Sequence, residues 1–115
     1  MKRSPITTHV LDTATGRPAA GVPVVLSLET GGAWQELATG VTNDDGRVGD
    51  LLPAEHALTP GVYKMRFDTG SYFTAHKVEG FYPYAEIVFE IRDLAAHYHI
   101  PLLLSPFGYS TYRGS

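Results

Sequence analysis

Five histidines, His9, His56, His76, His97 and His99, are the groups in this sequence whose ordinary pKa of about 6.5 suits proton transfer near neutrality. A histidine by itself is more often a surface or hydrogen-bonded residue than a catalyst, and His56 and His76 carry no further signal. His97 and His99 are set apart by parity. They flank Tyr98 at the start of a run in which Ile100, Leu102 and Leu104 recur at period two, so both imidazoles fall on the face away from the core. That face must meet solvent or an interface. In Ile6-Thr7-Thr8-His9-Val10-Leu11-Asp12 the same logic puts Ile6, Thr8 and Val10 on one face and Thr7, His9 and Leu11 on the other, an assignment that Leu11 blurs. Imidazoles two residues apart on one strand can share a divalent metal when a third ligand approaches. No cysteine or nearby carboxylate completes such a set here, and no metal is expected. Arg47 follows the turn Asn43-Asp44-Asp45-Gly46, where a guanidinium can bind an anion or polarise a carbonyl. The C-terminal Tyr109 to Ser115 keeps strand-forming residues to its end, where fraying is normal, and so is expected to be tied down.

The elements that must position these groups are short strands. Ile6 to Asp12 reads as a first strand. Val22 to Glu29 reads as a second, with Val22, Val24, Leu26 and Leu28 on one face, and Thr30-Gly31-Gly32 as a hairpin turn into Trp34 to Thr42. Val48 to Leu52 is a short candidate strand. Val62 to Asp68 alternates Tyr63, Met65 and Phe67 with Lys64, Arg66 and Asp68, the pattern of a half-solvated antiparallel strand. Thr69 to Val78 is the one stretch with helical character. Glu86 to Arg92, Tyr98 to Ser105 and Gly108 to Arg113 complete the set. Runs of short strands with frequent turns and no alternation with long helices predict an all-β fold, a β-sandwich of seven or eight strands with one short helix.

Composition narrows the function classes. The chain has 115 residues, of which 43% are apolar and 18% charged, which predicts one folded domain. Nine basic residues against 12 acidic ones, with no basic run, argue against nucleic acid as a partner. The absence of cysteine excludes a disulfide framework, a thiolate metal site and a cysteine nucleophile. No apolar run approaches the roughly 18 residues of a membrane span, and Lys2-Arg3-Ser4-Pro5 is no signal-peptide core. The expected address is therefore the cytoplasm. Residues 1–5 are expected to be a flexible leader ahead of a domain spanning 6–115.

Three segments resemble one known family. At Ile6-Thr7-Thr8-His9-Val10-Leu11-Asp12, at Thr42-Asn43-Asp44-Asp45-Gly46-Arg47 and at His97-Tyr98-His99-Ile100-Pro101-Leu102-Leu103-Leu104-Ser105-Pro106 the chain resembles the 5-hydroxyisourate hydrolases, the transthyretin-related proteins. The terminal Tyr112-Arg113-Gly114-Ser115 is similar too, so the resemblance runs from about Ile6 to Ser115. It implies a transthyretin-like antiparallel sandwich assembled as a homotetramer, a dimer of dimers, with active sites in the channel between dimers. It implies a small-molecule substrate and no cofactor: hydrolysis of 5-hydroxyisourate to 2-oxo-4-hydroxy-4-carboxy-5-ureidoimidazoline in urate degradation, the step after urate oxidase. His99 would activate water, His9 would orient substrate or relay the proton, and Arg47 would stabilise developing negative charge, the two histidine roles being exchangeable. Tyr112, Arg113, Gly114 and Ser115 would shape the pocket floor. Transthyretin shares the fold but is a carrier without this residue set, so a carrier of a small aromatic ligand is the alternative reading.

Overall fold

Period-two alternation becomes two packed sheets in the computed structural model, which describes residues 4–114. In chain order the elements are β1 (Ile6–Asp12), β2 (Arg17–Pro18), β3 (Pro23–Thr30), β4 (Ala33–Val41), β5 (Arg47–Val48), β6 (Gly61–Phe67), α1 (Thr69–Ala75), β7 (Ala85–Ile91), β8 (Tyr98–Ser105) and β9 (Gly108–Thr111). One sheet runs β2-β1-β8-β9 with β5 also on β1, and the other runs β4-β3-β6-β7. The faces turned toward each other carry Ile6, Val10, Val24, Leu26, Met65, Phe67, Leu102 and Leu104, all essentially inaccessible. Burial of each such side chain contributes about 1.5–3 kcal/mol, and this core fixes which face of each strand looks outward.

The expected strands are present, with physical differences. The sandwich is antiparallel except at its centre, where β1 and β8 pair in parallel, Ile6 opposite Tyr98 through to Asp12 opposite Leu104. A parallel pair needs a long crossover, and here most of the chain supplies it. Two of the nine strands among the described residues, β2 and β5, are two-residue pieces that share the same edge of β1. Only Arg47–Val48 of that region is strand, because Leu51 and Leu52 leave the ladder to bury themselves in the core.

Helix α1 is shorter than its sequence predicts. Asp68 caps it, accepting from Ser71 N at 3.1 Å, and Lys77, with φ 57°, carries the chain out of the helical turn. Tyr72 and Phe73 from α1 are buried against the sandwich. Tyr72 Oη donates to the buried Asp12 Oδ2 at 2.8 Å, while Asp12 Oδ1 accepts from Ala14 N and Thr15 N. Burial, followed by the bond to Asp12 and the charge of that carboxylate, pushes the Tyr72 phenol up to about 12. Residue 4, within the segment expected to be a flexible leader, is packed into the fold. Ser4 is buried, its Oγ donating to Ile6 O at 2.6 Å and accepting from Leu52 N at 3.1 Å, so the chain is anchored from residue 4. The expectation for Met1 to Arg3 lies outside the described residues.

Candidate active site

Strand β1 is flanked by β5 and β8 along its first half, and this arrangement gathers the groups that can do chemistry. His9 pairs with Arg47 on β5. Thr7 pairs with His99 on β8. Residues paired directly across a ladder project to the same face, so Thr7, His9, Arg47 and His99 share the outer face of the first sheet while Thr8, Ile100 and Val48 point to the core. The parity expectation for His99 holds, and pairing removes the ambiguity that Leu11 left at His9. His9 and His99 are half-buried and Arg47 is exposed.

The turn before Arg47 is built by Asn43, whose Oδ1 accepts from Asp45 N at 2.9 Å and from Arg47 N at 3.0 Å. Gly46 has φ 74° and donates to Asn43 O, while its own carbonyl accepts from Val10 N at 2.7 Å. A side chain there would strain the backbone and collide with the Val10 carbonyl oxygen. The local sequence thus folds into a clip that holds Arg47 beside His9.

Electrostatics separate the roles. Burial, and then the neighbouring Arg47 guanidinium, hold the His9 imidazole below its ordinary pKa, against a smaller upward pull from the backbone and charge of Asp45. His9 is therefore neutral at pH 7 and able to accept a proton. His99 is held differently. Thr7 Oγ1 lies 2.8 Å from His99 Nδ1 and 2.9 Å from His97 Nε2, so one hydroxyl bridges both imidazoles. Gly114 closes the far side: its N donates to His99 O at 3.0 Å, and a Cβ at this position would stand 2.5 Å from His99 Cδ2.

The other expected residues divide. Gly114 meets His99, whereas the Arg113 guanidinium stacks on the ring of Tyr98 at 4.7 Å. Tyr98 is buried in the core, and the Arg113 guanidinium packs over it. Tyr112 and Arg113 line a groove of about 230 Å³ with Tyr98, Val88 and Phe89, along the side of the sandwich where β7 and β9 form the edges. The expectation for Ser115 lies outside the described residues. His76 sits at the end of α1 with Nδ1 2.8 Å from Tyr72 O, and His56 lies in the loop before β6. Thr7 is the functional candidate that sequence reasoning passed over. It shares a face with His9, but its link to two histidines depends on a pairing across 92 residues of sequence.

Among the described residues no group of three His, Cys, Asp or Glu is placed to hold a metal ion, and no helix is long and apolar enough to cross a membrane. A second cleft, about 480 Å³ and lined by Thr15, Arg17, Pro18, Tyr72 and His76, lies by the β1–β2 turn and α1. Neither concavity includes His9, Arg47 or His99, which stand on an open sheet face. The arrangement offers a neutral base, a fixed cation and a second imidazole of set orientation on one surface, the groups that water attack on a polarised carbonyl needs.

Comparison with known proteins draws on the whole sandwich. A 5-hydroxyisourate hydrolase of Mus musculus is 52% identical over 114 residues, covering 97% of this chain and 96% of that protein. A solved 5-hydroxyisourate hydrolase of Klebsiella pneumoniae superposes with a TM-score of 0.84 at 41% identity, covering 96% of this chain and 98% of the other. Sea bream transthyretin in complex with thyroxine superposes with a TM-score of 0.90 at 37% identity, covering 96% and 94%. Backbone similarity thus spans a hydrolase and a thyroxine-bound transthyretin alike, and a shared fold does not by itself assign a function. Residues 6–114 match the HIUase/Transthyretin family along nearly the full sequence, and the chain belongs to that family.

Proposed function

We propose that the protein is a 5-hydroxyisourate hydrolase of urate degradation, opening the six-membered ring of its substrate to give 2-oxo-4-hydroxy-4-carboxy-5-ureidoimidazoline. The observation that carries this reading is the register of β1 against β5 and β8, which sets His9, Arg47 and His99 on one face. The names of the similar hydrolases point the same way.

The reaction breaks an O–H bond of water, forms a C–O bond at a ring carbonyl, breaks the adjoining C–N bond and places a proton on the departing nitrogen. His99 takes the proton from water as the oxygen attacks. Arg47 stabilises the negative charge that grows on the carbonyl oxygen, a contribution of about 10²–10³ in rate for one such donor in related settings. His9, neutral beside Arg47, orients the substrate by hydrogen bonding and takes part in moving the proton to the leaving nitrogen. A pure carrier has no use for a base and a cation placed in this way, which favours turnover over simple binding.

We further propose that the working form is a homotetramer, a dimer of dimers with the histidine face lining the channel between dimers. Three observations support this assembly. The face bearing His9 and His99 is open in the single chain. β7 and β9 end their sheets at one side of the sandwich and so are available to pair with another copy. Phe81 and Phe107, 70% and 69% exposed, present apolar surface that an isolated sandwich leaves in water. Light scattering should return four times the 12.5 kDa of one chain, and a monomer that turns over substrate at the full rate would remove the channel from the reading. The catalytic reading is tested by the decay of freshly generated 5-hydroxyisourate, which the protein should accelerate and a carrier would not.

A further inference from the structure

The Thr7 hydroxyl carries one proton and sits within hydrogen-bond distance of a nitrogen on each of two imidazoles, His97 Nε2 at 2.9 Å and His99 Nδ1 at 2.8 Å. It can donate to one of them only. When both rings are neutral, the nitrogen that receives the Thr7 proton is bare and the other carries N–H, so one of the two facing nitrogens is protonated and the other is not. The tautomers of His97 and His99 are thereby locked together through a side chain that is itself 5% exposed and shielded from competing water.

We infer that Thr7 is a positioning residue that sets the tautomer of His99 and passes its surplus proton toward His97. This rests on the hydrolase reading for its consequence in turnover, but not for the tautomers themselves. For His99 to accept a proton from water at Nε2, its Nδ1 must hold the hydrogen and donate to Thr7 Oγ1. Thr7 then donates to His97 Nε2, and His97 carries its own hydrogen on Nδ1. As His99 Nε2 gains the proton of water, the Nδ1 hydrogen moves to Thr7 and the Thr7 hydrogen moves to His97 Nε2. One proton enters the chain and the charge passes to His97. When the Nε2 hydrogen of His99 goes, with His9, to the departing ring nitrogen, the relay runs back, His97 Nε2 returning a proton to Thr7 and Thr7 its own to His99 Nδ1. His97 thus belongs to the proton path although its place before β8 keeps it one residue outside the ladder.

The geometry of the elements makes the bridge specific. Thr7 stands opposite His99 in the parallel ladder, and His97 lies two residues earlier on the same side, so a single hydroxyl between the strands reaches both rings. Gly114 holds the His99 ring against Thr7 from the other side, since its Cα leaves no room for a larger group next to His99 Cδ2.

Two measurements test this together. Long-range ¹H–¹⁵N correlation spectra of the ¹⁵N-labelled full chain above neutral pH should show His99 as the Nδ1–H tautomer and His97 with Nε2 unprotonated. In Thr7→Val, which keeps the shape of the side chain, His99 should lose its single tautomer and kcat should fall by about 10²-fold with KM changed less than about threefold. Thr7→Ser restores a hydroxyl and should recover kcat to within about threefold of the original. A threonine that only fills space would give the opposite ranking, with valine near normal and serine impaired. The inference is overturned if the wild-type spectra show the reverse tautomers or a mixture, or if folded Thr7→Val keeps its kcat. Should wild-type protein fail to hydrolyse 5-hydroxyisourate, the hydrolase reading falls, while the wild-type spectra still decide the bridge.

Discussion

Replacing Gly114 with alanine should disable the site through His99 without unfolding the sandwich. The added Cβ would stand 2.5 Å from His99 Cδ2, 3.1 Å from Cγ and 3.2 Å from Cβ. Ordinary carbon contacts settle at about 3.5–4.0 Å, so the imidazole must retreat by about 1 Å. The Nδ1 to Thr7 Oγ1 bond of 2.8 Å has little slack for that, since N–O hydrogen bonds are useful only to about 3.2 Å. A reacting group misplaced by about 1 Å costs about 10²-fold in rate, equal to about 2.7 kcal/mol of activation free energy. Gly114 is not among the glycines with positive φ, so alanine brings no backbone strain and the effect isolates the ring contact. Gly49→Ala, where a Cβ meets nothing within 4 Å, is the matched control. The assay is kcat/KM from the ultraviolet decay of 5-hydroxyisourate, with circular dichroism to verify the fold. Gly114→Ala activity within about threefold of Gly49→Ala would refute the claim that close packing at Gly114 sets the His99 ring.

Arg47→Gln should lower kcat by about 10²–10³-fold, with a smaller change in KM, because charge on the carbonyl oxygen is largest in the transition state. The same substitution removes one of the two causes that depress His9, so an NMR titration should find the His9 midpoint below 6.5 in the wild type and nearer to 6.5 in the variant; an unmoved midpoint contradicts the assigned coupling. Because folding lowers the His9 pKa, the unfolded chain binds more protons as pH falls below 6.5. Stability from this group is therefore complete above 6.5 and declines on acidification through the folded pKa, and denaturant midpoints of wild type and His9→Gln should converge differently over that window. Tyr72→Phe deletes the partner of the buried Asp12 Oδ2 and should cost about 1–3 kcal/mol of stability, read in urea, while leaving kcat unchanged because the pair lies at the opposite end of β1 from Thr7.

The strands that hold the site could be read from alternation alone wherever one face is apolar. β1 and β8 have the bounds that Val10, Ile100, Leu102 and Leu104 demand, and the outward placement of His99 followed from the same count. Alternation is silent about partners. Nothing local in Ile6 to Asp12 says that it lies parallel to a strand 92 residues onward, so Thr7 beside His97 and His99 was invisible until the ladder was known. The direction of Arg113 was equally hidden, because past Thr111 the strand ends and Tyr98 competes for the guanidinium through its ring. Helix α1 is shorter than its composition predicts since Lys77 departs from helical backbone geometry. Ser4 entered the fold through a hydrogen bond to the distant Leu52 backbone, which composition cannot report.

The most direct test of the account follows the ultraviolet decay of 5-hydroxyisourate, formed in place from urate by urate oxidase, with no added protein, with wild type and with His99→Ala. Wild type should shorten the decay well beyond the spontaneous rate, and folded His99→Ala should return it to near that rate. A folded wild-type assembly that leaves the decay unchanged would contradict the hydrolase, and equal acceleration by both proteins would move the essential proton transfer away from His99.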